Sequence, residues 1–240
     1  MTKPDLSDVD AKLDWAVSQI EVLQTKLRAF FQEHARGPWE EPDPQGRGRV
    51  VLTTIDQPIS KHIQVEAGVI IHVVRSSLDL LMVSLAEHNG SKATNYIHFP
   101  IVHEADGLTD KRVRKWLGEL CPANADIITA LKPYKGGNDH LYALHWLNLK
   151  DKHRKLIAVA TGHGLEFTGN GHLRSYREYS VPVSPQHSGV VGILDADPGI
   201  NLKVAFDVAL NEIEAIGTRP LIATLNEFAR TTQSVVDLFR

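Results

Sequence analysis

The order of hydrophobic patterns along the chain predicts an α+β fold, on three observations. Apolar residues from Leu13 onward step by threes and fours. From Leu156 short β-branched runs alternate with Gly, Pro, Asn and Asp, and a second stepped stripe opens after Thr218 and Pro220. The expectation is one domain over 1–240: an N-terminal helical bundle over 1–154, antiparallel strands over 155–212, and a helix over 218–240 that rejoins the core. With 240 residues, 42% of them hydrophobic, the chain can bury a sizeable core.

The first helix is expected from about Ser7 to Ala35, because Leu13, Ala16, Ile20, Leu23, Leu27 and Phe30 share one face. Gly37-Pro38 supplies its stop, and residues 37–48, rich in proline and glycine, read as a loop. Val50 to Ile55 is a short β-branched run of strand character. Ile63 to His88 is a long helix closed by Asn89-Gly90 and apolar nearly all round, which places it at the centre. Two short helices follow Phe99-Pro100-Ile101. One starts at Thr109 and buries Val113, Trp116, Leu117 and Leu120; the other uses Ile127, Ile128 and Leu131 and ends before Pro133. The loop 135–139 delivers an Asn or Asp cap to a helix over about 139–152. Leu156–Ala160, Ser175–Val183, Gly189–Ile193 and Ile200–Leu210 are the expected strands, with a turn at 195–199 and hairpin loops at 162–164 and 169–171. Thr218 as cap and Pro220 in the first turn open the last helix, whose stripe is Leu221, Leu225, Phe228, Val235, Val236 and Phe239.

Composition excludes several classes. Lys and Arg number 26 against 29 Asp and Glu, a net charge of −3, so no global electrostatic footprint for nucleic acid or anionic lipid exists. No unbroken apolar run approaches the roughly 18 residues that span a bilayer. The single cysteine, Cys121, excludes an internal disulfide and fits a reducing, cytoplasmic compartment; beside Leu117 and Leu120 it reads as a packed thiol. Twelve histidines invite a metal hypothesis, but no two lie four apart on a helix and no His-Glu-x-x-His occurs. Neither a metal nor a cofactor is expected.

The costly polar groups are more informative. His72, Arg75 and Asp79 interrupt the central helix at i, i+3 and i+7, with Gly68 one turn earlier where another chain segment can come close. His145, Asn148 and Lys152 repeat that spacing on the later helix, whose end carries Asp151-Lys152-His153-Arg154. The motifs Arg75-Ser76-Ser77-Leu78-Asp79, Phe99-Pro100-Ile101, and Leu144-His145-Trp146-Leu147-Asn148 running into residues 151–154 resemble a group of bacterial proteins of unassigned function. A late Val204-Ala205-Phe206-Asp207 strand and a terminal Leu-x-x-Phe helix extend the likeness over most of the chain. The resemblance implies a helical core with a strand-rich insertion or extension and carries no activity with it.

A buried arginine and carboxylate cost several kcal/mol per ion unless paired, so Arg75 and Asp79 require partners. The expected arrangement is one shared cluster: Asp151 takes the Arg75 fork, and Arg154, Lys152 or His153 satisfies Asp79. In the leading reading this closed network fixes helix register in a non-enzymatic binding or interaction module. In the alternative, the protein is an enzyme or ligand-binding protein. Lys152, His153 and Arg154 then contact an anionic small molecule or RNA, and His145 or His153 transfers protons. Access decides between them. A HEPN-like ribonuclease, whose motif is Arg followed after four to six residues by His, is weighed on Arg28 and His34 and set aside, since apolar Ala29 follows the arginine where that family has a polar residue. The basic run Lys111–Lys115 reads as the charged outer face of an amphipathic helix. The partner is unknown. A homodimer along the Leu13–Phe30 stripe is an expectation, with no membrane and no nucleic-acid partner expected.

Overall fold

The computed structural model describes residues 3–46, 48–92, 96–153, 158–196, 200–210 and 219–240. The fold is α+β, with helices α1 (Ser7–His34), α2 (Lys61–His88), α3 (Lys111–Gly118), α4 (Pro122–Ala130), α5 (Asp139–His153) and α6 (Leu221–Asp237). The principal strands are β1 (Ala35–Pro42), β2 (Arg49–Ile55), β3 (Ala158–Gly169), β4 (Leu173–Glu178), β5 (Val181–Pro182), β6 (Gly189–Ala196) and β7 (Ile200–Leu210). Contacts divide the chain into two compact units. One comprises Met1–Leu23, Val65–Leu156 and Glu212–Arg240; the other comprises Gln24–Gln64 and Ile157–Asn211.

In the helical unit α2 supplies the centre. Ile70, Ile71, Val74, Leu78, Leu81, Met82 and Leu85 are almost wholly buried, and the chain leaves the helix through Gly90 at φ +83°, a left-handed position glycine adopts without strain. By length and composition alone α2 would cross a membrane, yet more than half of its apolar window is buried inside the chain. His72, Arg75 and Asp79 break what would otherwise be a continuous apolar run. The side chain of Asn138 caps α5, accepting from the Leu141 amide at 3.1 Å as the sequence predicts. α6 buries Leu221, Leu225, Phe228, Val235 and Val236. Its N-cap is Pro220, and the expected cap Thr218 lies outside the described residues.

The strand unit holds two antiparallel sheets. One runs β1-β2-β6-β4; the other contains β5-β3-β7 in that order. Val51, Val191 and Leu194 form the buried centre, with Leu165, Phe167 and Val204 packed against it. Residues 35–42 correct the expectation of a Gly/Pro-rich loop over 37–48: they form a strand ahead of the one expected at Val50–Ile55. They pair with β2, with a bulge between Arg36 and Trp39 around Gly37 and Pro38. A proline without an amide is tolerated there because β1 is an edge strand. Gly162-His163-Gly164, expected as a hairpin loop, lies inside β3 at an irregularity in its register with β7. The turn expected at 195–199 falls partly outside the described residues.

The homodimer stripe is also corrected. Leu13, Ala16, Ile20, Leu23 and Leu27 are each at most 4% exposed within the single chain, so they leave no seam for a second copy.

Candidate functional site

The site lies within the helical unit, where the polar stripes of α2 and α5 face each other with the helices running in opposite directions. Three pairs define the register. The Asp151 carboxyl lies against Gly68, so that a Cβ on Gly68 would come within 2.4 Å of Asp151 Oδ1. One turn on, His72 Nδ1 donates to Asn148 Oδ1 at 3.0 Å, and Arg75 Nε donates to His145 Nδ1 at 3.2 Å. Glycine at 68 leaves room for the Asp151 carboxyl, which would have to shift if the residue carried a side chain.

Arg75 is 4% exposed, and each guanidinium nitrogen is engaged: Nε with His145, Nη1 with Asp79 Oδ1 at 2.7 Å, and Nη2 with the Phe99 carbonyl at 3.0 Å. Asp79 Oδ1 also accepts from the Phe99 amide at 2.8 Å. Arginine and aspartate thus grip both backbone polar groups of one residue in the segment before Pro100, a use suited to a planar fork. The expected Arg75–Asp151 fork is not formed. Because α5 runs antiparallel to α2, its C-terminal end meets the start of α2. Asp151 lies opposite Gly68, seven residues or about 10 Å of helix from Arg75, and Asp79 satisfies the arginine from one turn along its own helix. The single cluster anticipated is in fact two neighbouring ones. Lys152 and His153 close α5, but their side chains and all of Arg154 lie outside the described residues, so the ligand contacts expected of them fall there too.

His145 is constrained as a proton carrier, since the lone pair a general base would use is taken by the Arg75 guanidinium. Burial pushes the Asp151 carboxyl above the usual carboxylate range, with the nearby His72 pulling it the other way. Folding therefore takes up a proton between the ordinary value of 3.8 and the raised one, and stability falls as pH rises through that window. Asp151→Asn is expected to unfold at higher urea than the parent at neutral pH, with the gap closing below 3.8. A gap of the same size at about pH 3 would refute the assignment.

At its far end the Arg75 network opens to solvent. Asp79, 30% exposed, lies 3.4 Å through Oδ2 from His98 Nδ1, and His98 is 56% exposed. His98 lines a cleft of about 370 Å³ with Tyr96, Arg112, Lys115, Trp116 and Glu119. The sequence reading missed this cleft. Trp116 and Leu117, expected in the core, are only half-buried, while Val113 and Leu120 do pack inside. The available signal was the spacing 112, 115, 116 and 119, one face of α3, but nothing local brings residues 96–98 to it.

Arg28 and His34 sit six residues apart on α1, about 120° apart around the helix axis, and His34 Nδ1 is 2.9 Å from Asp56 Oδ1. The pair does not converge. Among the described residues no group of three His, Cys, Asp or Glu side chains is placed to hold a metal ion. No protein-family model, no curated protein and no solved structure matches the chain. Fold and site together define an α+β protein with a buried arginine–aspartate clamp beside an open basic cleft.

Proposed function

We propose that the protein is a non-enzymatic binding module of the cytoplasm, its helical unit a bundle in which Arg75 and Asp79 form a structural clamp. The observation that carries this reading is the burial of the guanidinium: Arg75 is 4% exposed and each of its three nitrogens already donates, to His145, Asp79 and Phe99, which keeps it out of a ligand's reach. The clamp fixes the main chain of Phe99 and thereby the position of His98, which lies at the open end of the network. The cytoplasmic setting rests on the single cysteine.

Arg75→Lys tests the clamp. An ammonium keeps the charge but cannot reach three acceptors in the fixed geometry of the fork, so the variant should lose about 2 kcal/mol and melt about 4–8 °C lower. A role in attracting anions by charge alone predicts no such loss, and a lysine variant melting within about 1 °C of the parent overturns the clamp. The alternative, an enzyme or ligand-binding protein acting on an anionic compound at the cluster, is favoured by one observation, the exposure at the cleft of His98, which lies against Asp79.

A further inference from the structure

We infer that the cleft between residues 96–98 and α3 binds a small molecule that joins an aromatic ring to a phosphate or carboxylate. Its two side-chain cations, Arg112 and Lys115, outnumber its one carboxylate, Glu119. Among the described residues Arg112 and Lys115 form no ion pair; Arg112 instead lies 5.2 Å over the Trp116 ring. The acid in the cleft, Glu119, is occupied, its Oε2 accepting from Ser91 Oγ at 2.7 Å. His98 adds a third nitrogen base, held by Asp79 on one side and edge-on to Trp116 at 5.4 Å on the other. Two side-chain cations gathered in a concavity against one carboxylate leave an excess of positive charge that attracts an anion.

The walls specify the rest of the ligand. Trp116 forms one side, and Tyr96, 81% exposed, presents a large aromatic surface at the other. An exposed tyrosine beside an indole offers a planar group a stacking platform, and a volume of about 370 Å³ falls within the range of small-molecule sites. A guanidinium already seated on an indole loses little freedom when it takes up a phosphate or carboxylate. The inference rests on the clamp reading in one respect, that Asp79 and Phe99 hold His98 at the rim.

The test is calorimetric titration of the full chain with five probes: adenosine 5′-monophosphate, 4-hydroxybenzoate, adenosine, inorganic phosphate and a short oligoadenylate. At least one of the two ring-plus-anion probes should bind, and neither adenosine nor phosphate should come within about tenfold of it. Trp116→Ala and Arg112→Ala should each weaken that probe by about tenfold or more, with the far-ultraviolet circular dichroism of the parent retained. Phosphate binding as tightly as the nucleotide overturns the aromatic half. Indifference to both substitutions overturns the location, and no binding of either ring-plus-anion probe at about 1 mM overturns the inference as a whole. Capture of oligoadenylate without the mononucleotide overturns it in favour of single-stranded RNA. None of these outcomes alters the expected melting of Arg75→Lys, so the clamp and the cleft fail separately.

Discussion

Asp79→Ala should unfold at a temperature about 6–12 °C below the parent, a loss of about 3 kcal/mol or more. The magnitude follows from what is left behind. Arg75 is 4% exposed, so removing Asp79 strands a buried guanidinium without the carboxylate that neutralises it at Nη1. The Phe99 amide loses its acceptor in the same substitution, adding the cost of an unmet donor. Asp79→Asn separates the two contributions, because its carbonyl still accepts from Nη1 and from the amide while the charge is gone. A loss about half that of the alanine variant is expected. Thermal melts followed by circular dichroism decide the matter. An alanine variant with the parent's midpoint would show that solvent at the half-exposed Asp79 already neutralises the arginine.

Much of this architecture is legible in the sequence because its signals are local. α1, α2 and α5 begin and end within a few residues of the positions set by apolar stepping, Asn138 and Asn89-Gly90. The two i, i+3, i+7 stripes correctly announce two helices that face each other. Which residues meet is another matter, since spacing is the same read forwards or backwards and only the direction of α5 decides that Asp151 opposes Gly68. The carboxylate that pairs with Arg75 comes from Asp79 at i+4 on the same helix, so the charge is met without a carboxylate from α5. β1 was illegible for a different reason: Gly37 and Pro38 carry breaker signals that an edge strand absorbs in a bulge. The cleft was least visible of all. Tyr96 and His98 come from a segment without periodicity, and their meeting with Trp116 is a tertiary event that no pattern along the chain encodes.

Phe99→Ala should cost about 3–5 kcal/mol, the second large effect. The ring is 1% exposed and among the largest fully buried side chains, so its removal opens a cavity that the surrounding structure only partly fills. The backbone of the same residue is what Arg75 and Asp79 grip, and the ring is what holds that backbone in place for them. The two effects are therefore coupled. In a double-mutant cycle Asp79→Ala with Phe99→Ala should lose less than the sum of the single losses by about 0.5–3 kcal/mol, because either change alone already loosens the clamp. Phe99→Leu, which keeps most of the volume, should cost under about 1.5 kcal/mol and leave the Asp79→Ala penalty close to its value in the parent. Additivity within about 0.5 kcal/mol in the alanine cycle would mean that the ring and the clamp stabilise the fold independently, and that the buried arginine does not depend on Phe99 for its geometry.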